Sequence, residues 1–376
     1  MRDKLLLAMV VAAVAAGMTG CGPNDGSSEY ASGLEEYAEH DLEKAAKLFG
    51  KSLTLAPDNV DALVMFARVQ LDLGKLDEAR QALARAKELS SDSDVLLLNA
   101  QVAWHAAQYR EAVADFVAVA NDERLPPEVR SQGMAGLGIV ELTCSEKDRA
   151  RVSLLKALRL NRKNAAAWYH LGCLYRDSFG YDEAALEQFD FYVHLGDAAD
   201  ARVKKVKDEV IPVLRTRIER AAASRPGAAR RNSSVAAAAI LRGEEAVRKG
   251  SFKTARLRYE EAYKADPLSY PAALGLATTT LKLDRTAAGE LKALDYYRAA
   301  CSLRPNALAT LRAAGELAAK LGRHQTAVEI YSRAMAANAN DVTAIDGLIR
   351  ALRKVGRTKD ANVYQGYRDA IAAKKP

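Results

Sequence analysis

Cysteine, histidine and paired carboxylates are the groups with which this sequence could do chemistry, and their spacing excludes most of it. Cys144, Cys173 and Cys301 form no C-x-x-C pair and have no zinc-like spacing. His40, His105, His170, His194 and His324 are scattered, and no two stand four apart on one helix face. The carboxylate pairs Glu35-Glu36 and Glu260-Glu261 are sequence neighbours, which point apart on a helix and read as solvated faces. H-E-x-x-H, G-x-S-x-G, a phosphate loop and a dinucleotide glycine motif are all absent. The expectation is a non-enzyme with no catalytic residue, no metal and no cofactor.

Cys21 stands in a different setting. Met1-Arg2-Asp3-Lys4 opens the chain with positive charge, Leu5 to Ala16 is apolar without interruption, and Met18-Thr19-Gly20 follows. A charged start, a short apolar core and small residues describe an export signal over residues 1–20, too short for an ordinary membrane span. Small residues directly before a cysteine resemble the bacterial lipobox, although Met18 replaces the usual leucine; a secretory signal that happens to contain a cysteine is the alternative. The resemblance implies acylation of the Cys21 thiol (palmitate among the chains) and removal of the preceding peptide. Gly22 in place of aspartate implies an outer membrane, facing the periplasm. Several chains are needed, since each buried CH2 contributes only ~0.8 kcal/mol. Residues 21–28 would then be a tether spanning at most ~25 Å. The other cysteines fall at helical positions and read as small apolar residues, with a disulfide between two of them left open.

The elements that must position any binding group are helices. Trp168-Tyr169-His170-Leu171-Gly172-Cys173-Leu174-Tyr175 is followed by Ala185, Phe189 and Tyr192. A small residue, an aromatic four later, a small residue three later and then proline recur as Ala45, Phe49, Ser52, Pro57; Ala255, Tyr259, Ala262, Pro267; and Ala293, Tyr297, Ala300, Pro305. Ala112, Phe116 and Val119 fit without the proline, and weaker frames start at Ala79, Ala150, Ala327 (with Tyr331) and Ala361. Small residues precede all but the Ala361 frame by twelve positions or slightly more: Gly33, Ala67, Ala100, Gly138, Gly172, Gly243, Ala277 and Gly315. They are needed where paired helices approach most closely. Gly74, Gly250, Gly322 and Gly356 fall where the first helix must end, and the prolines where the second stops.

These residues resemble the tetratricopeptide repeat, W-x2-L-G-x2-Y, then A-x3-F, then P, over about 34 residues. The resemblance implies an all-α, right-handed α-solenoid of stacked helix-turn-helix hairpins, where a generic alanine-rich bundle would lack the shared register. The frame breaks after Tyr192 and resumes near Ser233. The expected organisation is an N-terminal array of about five repeats over 29–197 and a C-terminal array of about four over 235–372. Between them, 198–234 reads as a basic helix, interrupted at Pro212, with a linker at Ser224-Arg225-Pro226-Gly227.

Charge divides the chain the same way. Residues 22–200 hold 19 Lys and Arg against 30 Asp and Glu, whereas residues 201–376 hold 34 against 17. Such asymmetry speaks of partners rather than of fold. The basic half could reach an acidic protein, a cell-wall polymer or another polyanion, or could be a solvated face; nucleic acid is not expected, because no recognition motif accompanies the charge.

The resemblance also implies that the first helices line a concave groove. The corresponding positions are Tyr30, Tyr37, Arg68, Asp72, Gln101, Trp104, His105, Tyr169, Arg176 and Asp177 in the first array. In the second they are Glu244, Arg248, Lys282, Arg312, Glu316, Lys320, Arg350 and Arg353. Tyr, Trp and Arg dominate interface hot spots, so the first set suits a peptide or helix. The expected function is a non-enzymatic, membrane-tethered scaffold that recruits a protein partner to an envelope assembly. The alternative is a carbohydrate or cell-wall binding module in which Trp104, Tyr30 and Tyr169 stack on sugars.

Overall fold

The computed structural model describes residues 25–223 and 232–373. The export signal, Cys21, the first residues of the tether and the linker at 224–231 lie outside the described residues. All regular structure among the described residues is helical, and the chain is an α-helical repeat solenoid. Contacts divide it into two units, 1–167 and 168–376. Sequence places the break after Tyr192; the contact boundary falls at Ala167/Trp168.

The first unit stacks four hairpins: α1 (Ser27–Ala38) with α2 (Leu42–Leu55), α3 (Val60–Asp72) with α4 (Leu76–Leu89), α5 (Ser93–His105) with α6 (Tyr109–Asn121), and α7 (Pro127–Thr143) with α8 (Lys147–Leu160). α9 (Ala165–Cys173) crosses the division. In the second unit it runs on as a π-helix, Leu174–Phe179, and pairs with α10 (Asp182–Leu195). α11 (Ala201–Lys205), a second π segment (Val206–Val210) and α12 (Ile211–Ala223) are contiguous, so Pro212 does not end the helix. Four hairpins complete the unit: α13 (Ser233–Arg248) with α14 (Phe252–Ala265), α15 (Tyr270–Leu283) with α16 (Ala287–Leu303), α17 (Leu308–Lys320) with α18 (His324–Ala337), and α19 (Val342–Lys354) with α20 (Thr358–Ala372).

Stacking follows from the small and aromatic residues. A Cβ built at Gly33 would stand 2.8 Å from the Phe49 ring, and one at Gly172 equally close to Phe189. Tyr331 is seated between Gly315 of its own hairpin and Gly347 of the next, and Tyr259 between Gly243 and Gly275 in the same way. Each aromatic thus fills a recess that only hydrogen leaves open, and Tyr259 and Tyr331 each join two hairpins into one interior. Phe49, Ala45, Ala185, Phe189, Ala255, Ala293 and Ala327 are wholly buried, and Leu171 and Tyr175 nearly so. Gly138 meets Leu154, Tyr297 is buried, and Trp168 stacks on Phe191 with ring centroids 4.6 Å apart. Pro57, Pro267 and Pro305 follow α2, α14 and α16, where a residue without an N–H costs no helical bond.

Within most hairpins the turn is a Schellman motif, in which a residue of left-handed conformation lets the next N–H reach back five residues. Gly74, Gly250, Gly322 and Gly356 occupy it as the spacing predicts. His40, Ala107 and Ser145 occupy it elsewhere at φ 65°, 57° and 62°. The bonds are the same, with Asp41 N–H donating to Glu36 O at 2.9 Å and Gln108 N–H to Ala103 O at 2.8 Å.

Candidate partner-binding grooves

The first helices of the first unit place Tyr30 and Tyr37 of α1, Asp61, Val64, Met65 and Arg68 of α3, and Asp94, Val95 and Leu96 of α5 along one groove. Asp92 and the α6–α7 connection with Asp122, Arg124 and Leu125 close its far end, around about 1020 Å3. Asn59 starts α3 by accepting the Ala62 N–H at 3.1 Å, which brings Asp61 into the first turn, where the helix dipole favours an anion.

Electrostatics in the groove are only partly internally matched. The Tyr37 hydroxyl donates to Asp72 Oδ2 at 3.0 Å. Burial, then the Asp72 charge, push the Tyr37 phenol up to about 12, against a smaller opposing effect of Arg68. Burial and then Asp61 raise Tyr30 to about 12 as well. Arg124 grips Asp122 through two 2.8 Å bonds and lowers that carboxyl to about 2. Asp61, Asp92, Asp94 and Arg68 carry no ion pair among the described residues. Charge and apolar surface are therefore both available to a guest.

Other expected groove residues are engaged differently. Tyr30 is 8% exposed and packs on Phe49, so its ring offers little free face. Trp104 is half-buried, and its indole N–H donates to Thr143 Oγ1 at 3.0 Å, linking α5 to α7. Gln101 and His105 are exposed, with the His105 ring 4.6 Å from that of Trp104. Neither lines the groove.

In the second unit Tyr169 packs against His170, Phe189 and Tyr192, under the Arg202 guanidinium at 5.6 Å. Arg176 is taken up by a two-pronged bond to Asp177, at 2.6 and 2.8 Å. Burial, helped by Arg202, lowers the His170 imidazole to about 4. Lys282, Glu316 and Lys320 come together on a cavity of about 690 Å3 with Phe252, Leu281, Arg285, Glu290, Tyr297 and Leu317. Arg248, Arg312, Arg350 and Arg353 do not line it, and Arg312 approaches Asp341 at 3.5 Å. Glu244 also lies outside its lining.

Asp61, Val64, Asp94 and Leu96 in one unit, and Phe252, Arg285 and Glu290 in the other, are lining residues that the sequence reading omitted. A signal for two of them was present, because Asp61 and Asp94 each stand six residues before a small first-helix residue, Ala67 and Ala100. The cysteines among the described residues are free, with Cys301 buried and its thiol pushed up to about 11, Cys173 partly buried and Cys144 exposed. Among the described residues no group of His, Cys, Asp or Glu is placed to hold a metal, and no helix is long and apolar enough to cross a membrane.

A family model described as tetratricopeptide repeat matches residues 36–102. No curated protein matches the chain. Among solved structures, the MamA protein is similar at 18% identity and TM-score 0.37, over 50% of this chain and 97% of that one. PilF of Pseudomonas aeruginosa is similar at 18% and 0.41, over 69% and 97%. YrrB, described as a TPR protein with an unusual peptide-binding site, is similar at 17% and 0.36, over 52% and 93%.

Proposed function

We propose that this chain, whose residues 36–102 match a family model described as tetratricopeptide repeat, is a non-enzymatic protein–protein interaction scaffold. Its first groove holds a peptide or helix of a partner protein. The observation that carries this reading is the open groove of the first unit, where Val64, Met65 and Leu96 supply apolar surface and Tyr37, Arg68, Asp61 and Asp94 supply directional groups. Concave surfaces of stacked repeats are suited to extended ligands. A sugar platform is less well supported, because the Tyr30 ring is packed away and the Trp104 N–H is already bonded within the fold.

The same proposal includes export and acylation at Cys21, with the scaffold held in the cell envelope, on an outer membrane facing the periplasm, so that it recruits its partner to an assembly there. The charged start, apolar run and small residues before Cys21 support this reading. The test is affinity capture from solubilised envelope with the full chain and with a Val64→Glu, Arg68→Glu variant. A protein retained at high salt by the wild type and absent from the variant is the expected result. An identical set retained by both would remove the groove from the account.

A further inference from the structure

We propose that the cavity of the second unit is a docking site for an acidic segment with apolar side chains, contributed by a partner protein; this rests on the scaffold reading and adds a partner chemistry to it. The cavity arises from a departure in spacing. Gly33 to Ala45, Gly243 to Ala255 and Gly315 to Ala327 are each twelve residues apart, but Ala277 to Ala293 is sixteen. Four more residues are one more helical turn. Accordingly α16 has 17 residues where α14 and α18 have 14. Its start is capped by Thr286, whose Oγ1 accepts the Gly289 N–H at 3.2 Å, and the connection from α15 has no left-handed residue.

That extra turn carries Glu290, 5% exposed and bonded to the Lys320 ammonium of the next hairpin, at the wall of the cavity. Phe252, Leu281, Tyr297 and Leu317 provide apolar lining. Its volume, about 690 Å3, lies within the ~300–1,000 Å3 of sites that enclose a drug-sized ligand, more than one side chain fills. Charge then selects the guest. Glu290 takes the charge of Lys320, whereas Lys282 and Arg285 have no ion-pair partner among the described residues; Glu316 is the opposing exposed carboxylate. Lys282 Nζ lies 5.9 Å from the Phe252 ring centroid, which places a cation beside apolar surface. An acidic side chain flanking a Leu or Phe meets both. The surrounding excess of 34 basic over 17 acidic residues in 201–376 favours the approach of such a segment, whose encounter rate falls as salt rises.

The test uses the full-length protein and two fluorescent peptides of about a dozen residues, one alternating Glu with Leu and Phe, the other with Lys at every Glu position. Anisotropy titration should show the acidic peptide binding roughly ten-fold tighter or better. The preference should vanish in Lys282→Ala, Arg285→Ala, two exposed positions whose loss leaves the fold intact by thermal unfolding. Binding should also fail in Ala313→Trp, which fills the cavity. Equal binding of the two peptides, preference for the lysine peptide, no binding of either, or acidic-peptide binding that ignores both variants would each overturn the proposal. These outcomes are independent of capture through Val64 and Arg68, which tests the scaffold reading alone.

Discussion

At the residue scale, Ala107 shows what the fold demands against the preference of its own side chain. A left-handed φ of 57° brings Cβ against the neighbouring carbonyl, a cost of roughly 1 kcal/mol or more that glycine avoids. Ala107→Gly should therefore stabilise the first unit by about 1 kcal/mol, read as a raised urea midpoint; a lowered midpoint would contradict the turn geometry. Gly172→Leu should do the opposite, because even a Cβ would stand 2.8 Å from Phe189, and overpacking of this kind costs ~1–3 kcal/mol. His170 predicts a pH dependence. Its folded value of about 4 lies below the ordinary 6.5, so the unfolded chain binds the proton first. The stability held by the neutral imidazole is complete above about pH 6.5 and is lost as pH falls toward 4. His170→Gln should flatten that part of the stability profile measured by denaturant unfolding, and an unchanged slope would assign it to other groups.

At the element scale, the hairpins were legible because contact between helices fixes residue size. Gly33 under Phe49 and Gly315 under Tyr331 leave no room for a methyl group, so the sequence must show small and aromatic residues at fixed offsets. The turns at His40, Ala107 and Ser145 were not legible, because Schellman bonds can hold an unfavourable conformation without a glycine to mark it. Spacing carried two further signals. Gly172 and Ala185 are thirteen apart, and the added residue is absorbed by the π-helix Leu174–Phe179; the sixteen between Ala277 and Ala293 become an extra turn of α16. π segments are a known way for a helix to accommodate one residue more. The groove aromatics were only half legible, since the offset that exposes Tyr37 to the groove buries Tyr30 against Phe49. Because Tyr331 seats against glycines of two hairpins, Tyr331→Ala should cost ~3–5 kcal/mol. Leu257→Ala, at a residue 60% exposed, should stay within about 0.5 kcal/mol. Comparable losses at both sites in thermal unfolding would deny the aromatic its bridging role.

At the scale of the whole molecule, two grooves of different lining chemistry belong to one chain whose halves carry opposite net charge. The proposed membrane anchor rests on Cys21. Cys21→Ser should move the protein to the soluble envelope fraction or leave it on an uncleaved signal, and membrane retention with the signal removed would refute lipid anchoring. The central claim is that the inner wall of the first unit receives a protein. It is tested most directly by site-specific photocrosslinking in cells, with a benzophenone side chain placed at Val64 in the groove or at Arg80, exposed on α4. The account predicts one discrete protein adduct from position 64 and none from position 80; adducts at 80 with none at 64 would contradict it.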